Sequence, residues 1–243
     1  GMIPVVAVYS SFLQRAYDQI LHDVCLQKLH VIFAIDRSGL VGEDGETHQG
    51  IFDSAYLSHI PNMVVIAPKN RYELTKSMEF AMEYDGPIAI KYSKGDAYYG
   101  LREHLDPMEL GKSEVLAEGT RVALIAVGNM VEEAVTVYET LQEEGKMITL
   151  VNARFVKPLD EELLIQLAKT HDTVITLEEH VLNGGYGQAV DAFYMQHEVD
   201  NIHVHNIAID DCFVEHGSVK ELRKLLGLDA KSVTDVVRSY WNR

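Results

Sequence analysis

The loop IDRSGLVGEDGETHQG, residues 35–50, carries side chains that could bind an anion and move a proton. Arg37 and Asp44 supply charge, and the glycines around them permit backbone conformations that bring a loop close to a ligand. His48 can exchange a proton near neutral pH because the unperturbed pKa of histidine is about 6.5. The competing interpretation is that His48 is an ordinary surface histidine.

Three polar side chains are expected to meet at one edge of a parallel sheet. Tyr9 ends one apolar run, Arg37 ends the next, and Lys94 follows a later one. Ligands of open parallel sheets bind beyond the carboxyl ends of the strands, so these groups could form a positive cluster suited to a phosphate. Alternatively, Arg37 pairs on the surface with Asp36 or Glu43 and Lys94 is only solvated.

Phe12 and Arg15 stand three residues apart in a predicted helix and therefore share one of its faces. They could form a stacking platform with a polar neighbour for an aromatic cofactor ring. They could equally be a core phenylalanine beside an exposed arginine. The residues alone favour the core interpretation.

The segment LEEHVLNGGYGQAV, residues 177–190, places Glu178, Glu179 and His180 at a strand end before a glycine-rich turn. Such a turn can bind phosphate where a helix begins. It lacks full GxGxxG spacing, and tight turns also need glycine for steric reasons, so the structural interpretation is favoured. No metal site is predicted.

The elements that must position these residues alternate short β-rich runs with amphipathic segments of helix length, a pattern typical of parallel α/β folds. In the first half, strands are predicted at 3–9, 31–37, 63–67 and 87–92, with helices at 10–28 and 71–83. In the second half, strands are predicted at 122–128, 147–153, 174–180 and 203–209, with helices at 131–144, 159–170, 187–197 and 218–241. Ser10 or Ser11 is expected to cap the first helix.

We therefore predict an α/β protein of two domains, each with a mostly parallel sheet flanked by helices. The polar, weakly periodic stretch after residue 93 contains several Gly and Pro residues and is typical of a linker. The predicted boundaries are 1–105 for the first domain, 106–120 for the linker and 121–243 for the second domain.

Composition excludes several classes of partner. The formal net charge of -16 would repel a nucleic acid backbone, and no run of Lys and Arg offsets it. The longest apolar runs, such as VALIAV at 122–127, are too short to cross a bilayer, so no membrane association is expected. Cys25 and Cys212 lack a ligand spacing, which indicates neither a disulfide framework nor zinc. A cytoplasmic protein is predicted.

Three segments carry a family resemblance: YSSFLQRAYDQ at 9–19, the loop at 35–50, and IPNM at 60–63. In this order and at these distances they resemble the 1-deoxy-D-xylulose-5-phosphate synthases, a family of transketolase-like thiamine diphosphate enzymes. The second half is similar to the general transketolase C-terminal domain. The resemblance implies a partial pyrimidine-binding domain followed by that C-terminal domain.

The resemblance also implies an activity. Members of the family join pyruvate, with decarboxylation, to D-glyceraldehyde 3-phosphate, and the product, 1-deoxy-D-xylulose 5-phosphate, feeds isoprenoid, thiamine and pyridoxal synthesis. The complete enzyme requires thiamine diphosphate and Mg²⁺, and a homodimer is expected.

Site residues follow from the same resemblance. It implies that Phe12 stacks on the cofactor aminopyrimidine with Arg15 close by. It implies that the substrate site is lined by Tyr9, Arg37, Asp44 and His48, with Arg37 at the phosphate and His48 as the catalytic group. A second phosphate-binding arginine of the family falls at Lys94, which keeps the charge but loses the bidentate fork.

Two family features are not found in this sequence: the metal-binding GDG…N motif and the glutamate that activates the cofactor. The chain alone is therefore expected to be inactive, as part of a larger or split enzyme. Two alternatives remain open. One is the β-type half of a 2-oxo-acid dehydrogenase, which shares the architecture, and the other is a non-catalytic oligomerisation or binding module.

Overall fold

Two five-stranded sheets, each packed against helices, organise the computed structural model, which describes residues 1–243. The first half contains β1 (Val5–Tyr9), α1 (Ser10–Leu13), a 3-10 turn (Gln14–Ala16), a π-helix (Gln19–Cys25), β2 (Ile32–Asp36), α2 (Asp53–Ser58), β3 (Val64–Ile66), α3 (Arg71–Glu83) and β4 (Ile88–Lys91). The second half contains β5 (Glu114–Ala117), β6 (Arg121–Ala126), α4 (Met130–Glu143), β7 (Thr149–Asn152), β8 (Phe155–Lys157), α5 (Glu161–Thr170), β9 (His171–Val181), α6 (Tyr186–Gln196), β10 (His203–Ile209), α7 (Val219–Leu225) and α8 (Ala230–Trp241).

The first sheet has the strand order β1-β2-β4-β3-β8 and is parallel except for β8, which runs antiparallel to β3. Its register aligns Tyr9 with Asp36, and Ile35 with Lys91. The carboxyl ends of β1, β2 and β4 therefore lie side by side, and the residues that follow them share one edge.

The second sheet has the order β10-β9-β6-β7-β5, with only β5 antiparallel. Both sheets thus confirm the predicted fold class, α/β with mostly parallel strands. Helix α3 matches its predicted bounds, and it begins where the Asn70 side chain accepts a hydrogen bond from the Glu73 backbone N–H.

Three secondary-structure elements of the fold, β8, β5 and α2, have no counterpart among the predicted strands and helices. Strand β8 belongs to the second half of the chain but pairs with β3 of the first sheet. Strand β5 lies inside the expected linker and pairs with β7. Helix α2 is short and has no apolar period of its own. The domain boundaries at 105 and 120 stay a prediction.

The first predicted helix is wrong in detail. It is divided into α1, a 3-10 turn and a π-helix, and Tyr9 precedes it without any side-chain cap. The Ser10 hydroxyl donates instead to Asp53 Oδ2 over 3.0 Å, because α2 brings that carboxylate beneath the end of β1. Phe12 is 45% exposed, so the core interpretation of its side chain is also wrong.

One large apolar cluster joins the two halves. The largest buried cluster contains Ile35 and Val65 from the first sheet together with Ile125 and Val174 from the second. Burial of this apolar surface holds the sheets against each other. None of the helices combines the length and apolar character needed to cross a bilayer.

A buried network of charges also lies between the sheets, formed by Lys69, Glu73, Glu114, Asn152 and Arg154. We call it the inter-sheet network. Lys69 Nζ lies 2.6 Å from Glu114 Oε2, and Arg154 Nε lies 2.8 Å from Glu73 Oε1. The Asn152 amide donates to both carboxylates. Two cations and two anions therefore cancel within the protein interior.

Candidate functional site

Aromatic and cationic side chains form a row at the carboxyl edge of the first sheet. The guanidinium carbon of Arg37 lies 3.7 Å from the centre of the Tyr9 ring. Tyr9 stacks on Phe12 with 5.3 Å between ring centres, and Phe12 meets His48 edge-on at 5.7 Å. The structure therefore brings these four predicted site residues together.

Arg37 reaches this row through an unusual backbone. It follows β2 with a positive φ of 58°, a conformation that costs a non-glycine residue roughly 1 kcal/mol or more. Its backbone N–H donates to Asp36 Oδ1 over 2.7 Å, and Nη1 donates to Asp36 Oδ2 over 2.5 Å. The pairing with Asp36 is thus present, but Nε and Nη2 have no protein partner. Arg37 keeps donors for a ligand.

Lys94 follows the carboxyl end of β4 and contacts the same loop. Its ammonium donates to Asp44 Oδ2 over 3.0 Å and to the Val41 carbonyl over 3.3 Å. A hydrogen bond from Lys94 and its charge hold the pKa of Asp44 below its usual value, and His48 and Arg37 add smaller effects. The expected positive cluster is therefore partly neutralised, because Asp36 and Asp44 each accept from one of its cations.

The loop itself closes through two glycines. Gly39 and Gly50 exchange backbone hydrogen bonds, each of 2.8 Å, and form an isolated antiparallel bridge. A Cβ atom on Gly50 would lie 2.0 Å from the Arg37 carbonyl oxygen, so only glycine allows this approach. His48 lies near the end of the loop, where Nδ1 is 2.8 Å from the Thr47 hydroxyl. Nε2 of His48 has no hydrogen-bond partner and remains available for a substrate.

Arg15 lies apart from this row. It is exposed on the 3-10 turn after α1, and it forms no hydrogen bond or ion pair. Phe12, by contrast, presents almost half of its surface to solvent while one side is covered by Tyr9 and His48. An exposed aromatic face at a strand end can stack on a planar ring.

A buried ion pair between Lys91 and Asp53 lies next to the strand ends that carry this row. Lys91 Nζ lies 2.6 Å from Asp53 Oδ1 and donates to the Ser54 hydroxyl over 2.6 Å. Burial tends to raise the pKa of Asp53, but the charge of Lys91 and its hydrogen bond to this carboxylate outweigh burial, and the pKa is lowered. Because Asp53 also accepts from Ser10, the pair links the ends of β1 and β4.

The second sheet closes the site with Glu178, Glu179 and His180. Glu178 accepts hydrogen bonds of 2.8 Å from the backbone N–H groups of both Tyr186 and Gly187, where α6 begins. The glycine-rich turn is therefore filled by a carboxylate of the chain itself, and the phosphate interpretation of this turn is wrong. Burial raises the pKa of Glu178 to about 7, although these two bonds act against the rise.

A cavity of about 600 Å³ lies between the two halves of the chain. Its lining includes Arg37 and Lys94 from the first half of the chain and Glu178, Glu179 and Arg223 from the second half. The roles of Glu179, Asp53 and Lys91 were not inferred from the sequence. The only signal was the run Glu178–His180 at a strand end, since the partners of these side chains are distant in sequence.

Family models match both halves of the chain. Residues 1–98 match the pyrimidine-binding domain of transketolase, and residues 111–233 match the transketolase C-terminal domain. The chain belongs to the transketolase family. The two matched regions correspond to the two halves that enclose the cavity.

Curated relatives confirm the resemblance within the transketolase family. A 1-deoxy-D-xylulose-5-phosphate synthase from Lachnoclostridium phytofermentans is 54% identical over 237 residues, covering 98% of this chain and 38% of the relative. One from Syntrophus aciditrophicus is 49% identical over 244 residues, covering 100% of this chain and 37% of the relative. The chain thus spans less than two fifths of the length of these relatives.

Solved structures show the same fold. A chain described as a split gene transketolase, inactive beta4 tetramer, has a TM-score of 0.88 and 29% identity, covering 100% of this chain and 77% of that one. The transketolase of Campylobacter jejuni has a TM-score of 0.81 and 20% identity, covering 98% of this chain and 36% of that one.

Proposed function

We propose that this chain supplies the acceptor-substrate part of a 1-deoxy-D-xylulose-5-phosphate synthase. The complete enzyme condenses pyruvate, with decarboxylation, and D-glyceraldehyde 3-phosphate into 1-deoxy-D-xylulose 5-phosphate. The observation that carries the proposal is the row of Tyr9, Phe12, Arg37 and His48. Arg37 retains unpaired donors at one end of this row, and His48 has an unpaired Nε2 at the other. The high identity to synthases of this name supports the same conclusion.

In this proposal, Arg37 and Lys94 bind the phosphate of the aldehyde. The free Nε and Nη2 of Arg37 form a fork that matches two phosphate oxygens. Lys94 has one remaining N–H and contributes mainly its charge. Asp44 limits the attraction by pairing with Lys94, so a ligand phosphate competes with this carboxylate.

His48 is proposed as the group that holds or moves a proton at the aldehyde oxygen. Its free Nε2 can donate to that oxygen when protonated, and the edge contact with Phe12 fixes the plane of its ring. Tyr9 covers one side of Arg37 and limits the positions that its guanidinium can adopt.

Thiamine diphosphate, when bound, supplies the carbon nucleophile that acts on pyruvate. The exposed ring of Phe12 fits the aromatic aminopyrimidine, with Arg15 on the neighbouring turn. Within the chain, no group of three or more His, Cys, Asp or Glu side chains is arranged to hold a metal ion. That the diphosphate and Mg²⁺ are bound by other parts of the enzyme stays a prediction, as do a cytoplasmic location and a homodimer.

The test is the condensation of pyruvate with D-glyceraldehyde 3-phosphate in the presence of thiamine diphosphate and Mg²⁺. We expect no product from the chain alone and product when it is combined with the remaining part of the enzyme from the same genome. Arg37→Ala should then raise the KM for the aldehyde. Arg102→Ala is the matched control, because Arg102 also lies over an aromatic ring, at 5.5 Å from the centre of Tyr72. Equal KM values for both variants would reject the proposal.

A second candidate is a non-catalytic assembly module. It is favoured by the likeness to a split-gene transketolase whose structure is described as an inactive tetramer. Light scattering of the purified chain distinguishes the two candidates when combined with the assay. A stable oligomer that never yields product with the remaining part of the enzyme would support the module, whereas restored activity would exclude it. A lipoyl carrier as the preferred acceptor would instead indicate a 2-oxo-acid dehydrogenase.

A further inference from the structure

We propose that Glu179, which comes from the second sheet, is a positioning residue for the substrate loop at 37–50. The inference deepens the proposed function and rests on it for the identity of the substrate. Glu179 lies near the end of β9, is 5% exposed, lines the cavity and contacts the loop directly. It is separated from its loop partner Leu40 by 139 residues.

The carboxylate of Glu179 receives three hydrogen bonds. Oε2 accepts from the Leu40 backbone N–H over 3.0 Å and from the Asn129 amide over 2.8 Å. Oε1 accepts from Arg223 Nε over 2.6 Å. One side chain of the second sheet thus fixes a backbone group of the loop, and that side chain is fixed in turn by Asn129, which precedes α4, and by Arg223 of α7.

The contact falls in the part of the loop that also holds Lys94. The carbonyl of Val41, the residue after Leu40, accepts from the Lys94 ammonium, and its N–H donates to Gln49 Oε1 over 2.8 Å. Gln49 in turn donates to the Glu215 carbonyl over 3.1 Å. A shift at Leu40 would therefore displace a group that positions one of the two phosphate-binding cations.

Gly39 permits this close approach. It has a φ of +83°, and a Cβ atom there would lie only 2.3 Å from Glu179 Oε2. Gly42 is similarly restricted, because its Cβ atom would lie 2.9 Å from the Gly217 carbonyl oxygen. The glycines of the loop thus bring its backbone against the second sheet, in addition to any approach to a ligand.

Glutamine cannot replace this carboxylate. Glutamine has one amide oxygen, which can accept from either the Leu40 N–H or the Arg223 guanidinium but not from both. Its NH₂ group would then face the other of these two donors, and no hydrogen bond could form there. Leaving a buried donor without an acceptor weakens the contact that holds the loop. Glu133 provides a matched comparison, because it shares Arg223 at 3.1 Å and accepts from Ala230 N–H, but does not touch the loop.

The experiment compares Glu179→Gln with Glu133→Gln. Amide hydrogen exchange is measured on the unliganded chain, and kcat and KM for D-glyceraldehyde 3-phosphate are measured after combination with the remaining part of the enzyme. For Glu179→Gln we expect about tenfold faster exchange at Leu40 and a KM raised about tenfold with a smaller change in kcat. Glu133→Gln should change neither quantity by more than about twofold, even where both variants lower Tm.

Unchanged exchange at Leu40, faster exchange without a KM effect, or equal KM effects in both variants would each overturn the proposal. If Glu179→Gln does not fold, Gly39→Ala tests the same contact from the loop side and should also raise KM. The exchange measurement requires no substrate. If exchange at Leu40 is faster in Glu179→Gln but the assembled wild-type enzyme never condenses these substrates, the proposed function has failed. The proposed effect of Glu179 on binding of D-glyceraldehyde 3-phosphate then fails with it.

Discussion

The charged residues at the carboxyl edge of the first sheet and those of the inter-sheet network are of similar types but have different surroundings. In the inter-sheet network, Lys69, Glu73, Glu114 and Arg154 are at most 3% exposed in their side chains, and each cation has a carboxylate partner. At the edge of the first sheet, the side chain of Arg37 is 26% exposed and that of Lys94 is 36% exposed. Charges that are buried and balanced hold the structure together, whereas partly exposed cations with free donors can exchange a protein partner for a ligand.

The histidines differ in the same way. His180 is buried, with Nε2 accepting from the Ala55 backbone N–H and Nδ1 bonded to the Val181 carbonyl, so the neutral ring satisfies both partners. His48 is only partly buried, and one of its ring nitrogens, Nε2, has no hydrogen-bond partner. Comparison of the two regions therefore separates residues whose loss should unfold the chain from residues whose loss should weaken binding.

The largest effect is expected from Arg154→Met. Removing Arg154 leaves Glu73 and Glu114 buried with too little compensating charge, which should lower the free energy of unfolding by about 3–5 kcal/mol. Urea unfolding measures this change. Arg121→Met is the control, because Arg121 forms an exposed pair with Asp172 and its loss should cost only about 0–1 kcal/mol. Similar losses in both variants would contradict a structural role for the network.

The next effect concerns pH. Burial, followed by the charge of Lys91, lowers the pKa of His180 from 6.5 to about 4. Because the unfolded chain takes up this proton at higher pH than the folded one, His180 by itself should cost about 3 kcal/mol of stability as pH falls from about 6.5 to 4. The raised pKa of Glu178 acts in the opposite direction between about pH 7 and 4.5, so the contribution of His180 is read from the difference between variant and wild type. Urea unfolding across this range measures the slope. In His180→Gln the slope of the free energy of unfolding against pH should be smaller by nearly one proton in this range.

A smaller effect is expected from Arg37→Ala. Loss of a charge-assisted hydrogen bond to phosphate, roughly 1.5–3 kcal/mol, should raise the KM for D-glyceraldehyde 3-phosphate about 10–100-fold. The free energy of unfolding should change by less than about 1 kcal/mol, because the Asp36 pair is partly exposed. Steady-state kinetics and urea unfolding give both values. A large loss of stability with normal KM would place Arg37 with the structural charges.

The smallest effect is expected from Lys94→Arg. An arginine adds a second aligned donor toward a phosphate, so the KM for the aldehyde phosphate should fall about two- to fivefold. Lys94→Met removes the charge and should raise it. Steady-state kinetics on both variants would show whether this position contacts the phosphate. Equal KM values for the lysine, arginine and methionine forms would indicate that Lys94 only holds Asp44 and Val41.

Regular elements were predictable from local patterns. Helix α3 and the central strands β2, β4, β6 and β7 carry the apolar periods that sheets and helices require. Their predicted spans contain them, except that β6 begins one residue earlier, at Arg121. Strand β8 was not predictable, because three residues hold little periodic signal and their partner, β3, lies about 90 residues earlier. Strand β5 was missed for the same reason, because its pairing with β7, and not its own sequence pattern, identifies it as a strand.

Sequence by itself determined the fold class, the family resemblance and the clustering of Tyr9, Arg37 and Lys94 at one sheet edge, since strand ends in a parallel sheet share an edge. Only the tertiary structure decided which charged side chains are paired within the protein and which keep donors for a ligand. Asp36 and Asp44 neutralise part of the expected positive cluster, Glu178 fills the glycine-rich turn, and Glu179 reaches Leu40 from 139 residues away. Contacts between residues so far apart in sequence depend on how the two sheets pack. The local sequence around Glu179 or around Leu40 does not specify that packing.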